Sequence, residues 1–295
     1  MALAGRLLRT LLFVPGNNPR FIEKAKTLRA DIICLDLEDS VPIDEKGRAR
    51  ELVRDALKAR SNYTSELYVR VNSPESMSIE DDLKGIVVAD GLDGIVIPKV
   101  NEPEEVVRVA SMLDDLERKH GIGKSIEIMP SIESARGVVN AYHIASSSER
   151  VSALVFGVFD FMHDMGLEYS ADAIGYSYAR AKVPVDARAA GVHAIDGIWQ
   201  AIEDIDGLVR DATVGMRLGY KGKSIIHPNQ IEPVHRVFVP SKEEVEWARK
   251  VVTALEDAMR QGKGAVRLEG KMVDAVHYKR AKALLDAAAV GMITG

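Results

Sequence analysis

Eight short apolar runs recur along the chain, each followed by a longer stretch of helical period. This alternation constrains the fold more than any other feature. The runs are "RTLLFVPG", "DIICLDLE", "ELYVRVN", "DGIVIPKV", "SIEIMPSIE", "SALVFGVFD", "VHAIDGIW" and "GKSIIHP". Strands so continuously apolar bury both faces, the pattern of a parallel sheet covered by helices. The segments between them carry helix punctuation. "NNPRFIEKAKTL" opens with Asn and Pro; "DEKGRARELVRDALKAR" has acids in its first turn and bases in its last; "NEPEEVVRVASMLDDLERKHG" closes at Gly121. "SARGVVNAYHIASS" and "DIDGLVRDATVGMRLGY" are the other well-marked helices. Eight such units predict an α/β fold of the closed (β/α)8 barrel type, with an open sheet as the alternative.

The 295 residues hold one barrel of about 250 residues plus an extension. After "IIHPNQ" the layout changes. "SKEEVEWARKVVTALEDAMRQG" is a long amphipathic helix whose Ser241 and Glu244 form a capping box. A Gly-rich connection, "GKGAVRLEGKMVD", and a last helix, "AVHYKRAKALLDAAAV", complete the chain. The expected organisation is a catalytic barrel over residues 1–235 and a C-terminal helical extension over 236–295. That tail either packs on its own barrel or reaches a neighbouring subunit.

Composition excludes several classes of function. The net charge is −5 with acids and bases interspersed, so nucleic acid is not an expected partner. No apolar run approaches the ~20 residues of a membrane span, so neither is a membrane. Cys34 is the only cysteine, which rules out an intrachain disulfide and fits a reducing, cytoplasmic setting. The opening "MALAGRLLRTLLFVPG" has some look of a signal peptide. Its apolar part runs straight into Pro15-Gly16 without a small-residue cleavage site, so it reads as the first strand. There is no Gly-x-Gly-x-x-Gly, no P-loop and no serine nucleophile elbow.

In a barrel of this kind the active site forms at the carboxyl ends of the strands. Here those ends are polar almost throughout: Asp36 and Glu38, Arg70 and Asn72, Lys99, Ser131 and Glu133, Asp160, Asp196, and His227. Asp36 and Glu38 are two apart and so share a strand face, whereas Asp39 has the opposite parity and begins the loop. Taken singly, an acid after a strand is usually a helix cap or a solvated loop residue. It is their concentration at one rim that points to a site. Several carboxylates without a Cys/His cluster favour a hard cation, Mg²⁺ or Mn²⁺, over zinc. One arginine among acids suits a substrate carboxylate or a developing oxyanion. Lys99 is expected to pair with a rim carboxylate, His227 to be a structural hydrogen-bonding residue, and Cys34 to be a buried, inert thiol.

The ordered set "LLFVPGNNPRFIEKA", "DLEDSVP", "VRVNS", "IPKV", "SIES", "AIDG", "IIHPNQI" and "GKMVD" resembles the citrate lyase β-subunit and malyl-CoA lyase family, including its citramalyl-CoA lyase members. The resemblance runs from Arg9 to about Leu285. It implies a TIM barrel that cleaves or forms a carbon–carbon bond in a 3-hydroxyacyl-CoA thioester, with Mg²⁺ as cofactor. Carried over by motif, the metal ligands fall on Glu133 and Asp160, and the substrate-binding arginine on Arg70, with Glu133 also at the substrate. The CoA-holding residues fall on Phe13, Arg20 and Lys24, and on the backbone around Ile225 and Ile226. The acid of "GKMVD" falls on Asp274, which in malyl-CoA lyase-like members comes from an adjacent subunit and moves the proton at the acetyl carbon. Phe159 departs from the small or polar residue often found before the strand-6 acid, which narrows that side of the pocket.

The resemblance thus implies cleavage to glyoxylate or pyruvate plus acetyl-CoA, in a homo-oligomer that is a trimer or a hexamer. Asp36 and Glu38 are expected one shell out, hydrogen-bonding metal waters and orienting Arg70. Asp274 is also a candidate N-cap of the last helix, and Arg20 and Lys24 also read as a solvated helix face. Three other activities stay open: a citrate lyase β subunit acting on an acyl carrier protein within a larger complex, a malyl-CoA thioesterase or malate synthase-like enzyme, and a non-catalytic binding barrel.

Overall fold

The computed structural model describes residues 6–88, 90–168 and 174–293. Strands β1 (Thr10–Pro15), β2 (Ile32–Asp36), β3 (Glu66–Arg70), β4 (Gly94–Ile97), β5 (Glu127–Ile132), β6 (Ala153–Phe156), β7 (His193–Asp196) and β8 (Gly222–Ile225) close in sequence order into a parallel barrel. β8 returns to β1 through Thr10 opposite Lys223 and Leu11 opposite Ser224, so no strand edge is left open. All eight predicted strands are present, and the (β/α)8 reading holds.

Side chains alternate strictly between the two faces. Leu11, Ile32, Cys34, Tyr68, Val96, Met129, Val155 and Ile195 fill the barrel interior. Each such burial contributes about 1.5–3 kcal/mol. Because the interior is filled at this level, ligand space exists only above it, where the strands end.

The covering helices are α1 (Pro19–Ala25), α2 (Lys46–Lys58), α3 (Ile79–Ile86), α4 (Pro103–His120), α5 (Ala135–Ala145), α6 (Val158–Asp164), α7 (Ser177–Ala189), α8 (Ile205–Leu218) and α9 (Ile231–Phe238). Their starts follow from short polar caps. Asn18 accepts from the Arg20 and Phe21 amides, Ser134 from Gly137, and Asp204 from Gly207. Gly121, at φ +67°, ends α4 as the sequence predicted. α7 escaped the sequence reading because Pro184 stands inside it, where an interior helix position normally rejects proline.

Residues 8–235 form one compact unit; residues from Arg236 onward form a second, together with the segment ending at Leu7. In the second unit α10 (Lys242–Arg260) begins with the predicted Ser241/Glu244 capping box. The stretch expected to be a Gly-rich connection is an antiparallel hairpin, β9 (Ala265–Leu268) paired with β10 (Lys271–Asp274). Its turn is Glu269-Gly270, both at positive φ, the geometry that two-residue hairpins favour. α11 (Ala275–Ile293) follows directly. Ala248, Val251, Leu255, Val273 and Ala281 make this unit's own small core.

Candidate active site

The carboxyl ends of the barrel strands surround a cavity of about 360 Å³. Arg70, the last residue of β3, is its most constrained cation. Its Nε and Nη2 each donate to Asp36 at 2.6 Å, a two-pronged contact, and its Nη1 lies 3.1 Å from Glu38 Oε2. Its guanidinium sits 4.9 Å from the centre of the Phe13 ring. Asp36, at 1 % exposure, also accepts from the Glu38 amide, the Ser40 amide and the Ser40 hydroxyl. Burial would raise its pKa, but the charge and hydrogen bonds of Arg70 outweigh that and hold it below the usual carboxylate range. Asp36 is therefore saturated by protein donors, and its role is to aim Arg70.

Glu38 is placed between two cations. It faces Arg70 on one side and accepts from Lys99 Nζ on the other. Burial nonetheless pushes it up to about 7. Lys99 thus pairs with a rim carboxylate as expected. The structure adds a feature that a side-chain reading misses. Lys99 lies past the end of β4 with φ at +56°, a backbone state that non-glycine residues seldom adopt. That turn aims its amide at Glu133 Oε2, 3.1 Å away.

Glu133 follows β5 directly and is 7 % exposed. It shares the cavity with Asp160. Burial first, and the Asp160 charge second, push Glu133 up to about 8, against the pull of Arg70 and Lys99. Two carboxylates facing one cavity repel, and a bound cation removes that repulsion. Among the described residues no group of three or more His, Cys, Asp or Glu forms a metal-binding cluster. An oxygen-only pair of carboxylates still fits Mg²⁺, which typically takes one or two protein carboxylates and completes its shell with substrate oxygens and water. The residues present therefore suit that ion and do not suit a closed zinc site.

Several expectations need correction. Asp160 is not a strand end: β6 stops at Phe156, and Asp160 sits in the first turn of α6. Asp39 does not leave with the loop. Once the chain departs from β2 at Asp36 strand parity lapses, and Asp39 turns back to line the cavity, 3.2 Å from Lys99 Nζ. Asp196 does not serve the rim. It alternates with the interior Ile195 and points into the helix layer, where Arg180, Lys223 and Asp211 join it in a buried four-charge network. Asn72, beyond the end of β3, is likewise turned away from the cavity and bonded to Lys46 and Asp82.

The CoA-type residues divide. Phe13 and Ile226 line the cavity, as does Phe159 beside Asp160. Ile225 is fully buried with its side chain on the opposite face of β8, which leaves its backbone as the part expected along the CoA path. Arg20 and Lys24 are exposed on α1, outside the cavity lining. His227 caps the turn Pro228–Gln230, and Cys34 is buried with its thiol pKa raised first by burial and then by Asp36. In the second unit, Asp274 closes β10 and accepts from the Val276 and His277 amides, so it does cap α11. Its carboxylate also lies 2.8 Å from His277 Nδ1.

The sequence profile of the HpcH/HpaI aldolase/citrate lyase family matches residues 9–228. The chain belongs to that family. A citrate lyase subunit beta from Leuconostoc mesenteroides subsp. cremoris is 38 % identical, the match covering 96 % of this chain and 94 % of that one. The mitochondrial citramalyl-CoA lyase of Homo sapiens is 33 % identical over 93 % of this chain and 83 % of its own. Among solved structures, the CitE protein of Mycobacterium tuberculosis, crystallised with magnesium, acetoacetate and coenzyme A, superposes with a TM-score of 0.79. It is 28 % identical, with 97 % of this chain and 99 % of that one covered. The resemblance read from the ordered motifs is therefore correct. Among the described residues no helix is long and apolar enough to cross a membrane.

Proposed function

We propose that this protein is a Mg²⁺-dependent carbon–carbon lyase acting on a 3-hydroxyacyl-CoA thioester of the malyl-CoA or citramalyl-CoA type. The products are glyoxylate or pyruvate and acetyl-CoA, and the reverse condensation uses the same site. The observation that carries the reading is the meeting, in one cavity, of an oxygen-only carboxylate pair and an arginine aimed by a saturated aspartate.

Glu133 and Asp160 would hold the cation, which supplies Lewis-acid polarisation of a substrate oxygen. Arg70, fixed by Asp36 and Phe13, binds the substrate's carboxylate or the oxygen on which charge develops. In cleavage the 3-hydroxyl gives up its proton to solvent and the bond between C2 and C3 breaks. The electron pair moves onto the thioester as an enolate, and a proton returns to that carbon. Asp274 is our assignment for that proton carrier. Its hydrogen bonds from His277 outweigh a smaller effect of desolvation and lower its pKa, so at rest it is a base ready for the methyl proton in the condensation direction, and in cleavage it first takes that proton from solvent. We assign it to act on a neighbouring copy in a homotrimer or hexamer, with Arg20 and Lys24 meeting CoA phosphates at the surface of α1.

The test uses purified protein with malyl-CoA, citramalyl-CoA and citrate, with Mg²⁺ and with EDTA, following 2-oxo acid and free thiol. The expected result is Mg²⁺-dependent release of 2-oxo acid without partner proteins; free thiol in equal amount would mark a thioesterase. Activity indifferent to EDTA overturns the mechanism. The 38 % identity to a citrate lyase β subunit favours one second reading, in which the acyl group hangs on a carrier protein. Turnover of citryl-carrier protein alone, with both CoA thioesters inert, would decide for it.

A further inference from the structure

Ser224 lines the cavity from β8 and is 2 % exposed, yet its hydroxyl has no hydrogen-bond partner among the described residues. Strand alternation explains its direction. Lys223 points into the helix layer toward Asp196 and Asp211, and Ile225 is also absent from the lining, so Ser224 and Ile226 are the inward pair. In the barrel order β8 lies across from β4, facing the arc from β3 to β5 that carries Arg70 and Glu133. The rest of the lining on this side, Phe13, Pro15, Ile198 and Ile226, is apolar. A lone hydroxyl in such a wall costs stability, because a buried donor left unpaired forfeits its hydration. Alanine would fill the position without that cost.

We propose that Ser224 is a positioning residue whose hydroxyl donates a hydrogen bond to an oxygen of the bound 2-oxo acid. The inference rests on the lyase reading above and adds a specificity element to it. The cavity, about 360 Å³, takes a small acid and an acyl group while the body of CoA stays outside. Only a small oxygen-rich ligand reaches a residue so buried. Arg70 and the carboxylate pair engage the ligand from one side of the barrel. The oxygen lone pairs turned toward β8 meet an apolar wall with Ser224 as its donor. The same wall excludes a charged substituent at that end of the acid.

The experiment compares wild type with Ser224→Ala by calorimetric titration of pyruvate, glyoxylate and oxaloacetate in the presence of Mg²⁺. CoA titration and thermal melts accompany it. Loss of one hydrogen bond to a charged or carbonyl oxygen predicts about tenfold weaker binding of the preferred 2-oxo acid. CoA affinity should be unchanged, and the melting temperature unchanged or raised, since the orphaned donor is gone. A structural serine would give the opposite pattern: a lower melting temperature, with acid affinity intact or falling in step with that for CoA. That pattern overturns the proposal, as does equal 2-oxo acid affinity in the two proteins. A wild-type protein that binds none of the three acids overturns the lyase reading and this inference together.

Discussion

Gly157 gives the sharpest mutational test of the site. It stands between β6 and α6 at φ −95° and ψ 86°, so an alanine backbone is not barred there by a positive φ. A Cβ at this position would lie 2.3 Å from Glu133 Cγ and 2.8 Å from its Cδ and Oε1. Ordinary contact begins at 3.4 Å, so the Glu133 side chain must retreat by about 1.1 Å. An off-rotamer shift of that kind costs about 0.5–1.5 kcal/mol, and the entropy lost from the unfolded chain on replacing glycine returns about 0.4–1 kcal/mol. Gly157→Ala should therefore fold with nearly wild-type stability. Activity is another matter, because a reacting or ligating group displaced by about 1 Å commonly costs about 100-fold, close to 2.7 kcal/mol in barrier. The assay is kcat/KM for citramalyl-CoA or malyl-CoA cleavage, with a Mg²⁺ titration and a thermal melt on the same preparation. A kcat/KM within threefold of wild type would refute the claim that Gly157 seats the Glu133 carboxylate. A large fall in melting temperature would show instead that the backbone, not the carboxylate, gives way.

Asp36→Asn should destabilise the fold by about 1–3 kcal/mol and abolish turnover, since it removes the two-pronged partner that aims Arg70 and leaves Glu38 as the buried acid still paired with that charge; a denaturation midpoint equal to wild type would contradict this. His235, whose Nε2 lies 2.9 Å from the Thr10 hydroxyl, is held below the usual histidine pKa by burial, aided by Arg9 and opposed by Asp31 and Glu232. Below pH about 6.5 the unfolded chain takes up a proton that the native one resists, so stability is full above that pH and falls as pH drops. His235→Gln should flatten this part of the curve in urea melts between pH 7 and 5, and parallel curves would count against it. Asp274→Asn should keep the cap on α11 and the melting temperature while lowering kcat at least tenfold; an unchanged kcat would leave Asp274 a cap alone.

The barrel was legible because its signal is repeated. Each of eight apolar runs is ambiguous alone, but a parallel strand buried on both faces leaves the same mark eight times, and their number favours closure over an open sheet. The α4 stop at Gly121 and the α10 capping box were legible for a local reason, since a cap is written in the few residues that make it. What escaped notice depended on more distant or less regular geometry. Pro184 disguised α7, and a Glu-Gly pair hid a hairpin inside what reads as a linker.

The same distinction governs the site. Parity placed Asp36 on the face of Arg70, and the arrangement is indeed a two-pronged pair. Two other rim acids were misplaced, one where parity was not followed and one where it no longer applies. Asp196 is the final residue of β7, yet it alternates with an interior isoleucine, so counting strand ends without tracking faces sent it to the wrong side of the sheet. Asp39 lies beyond β2, where alternation no longer applies, and it returns to the cavity. Lys99 escapes any such rule. Its ammonium follows from charge complementarity, but the amide that reaches Glu133 is delivered by a left-handed backbone turn with no glycine to announce it. Strain of that kind persists only where surrounding contacts over-determine it. Here the fixing contacts come from Glu38 on one strand end and Glu133 on another, so the turn at Lys99 couples the wall that aims Arg70 to the carboxylate that we assign to the cation.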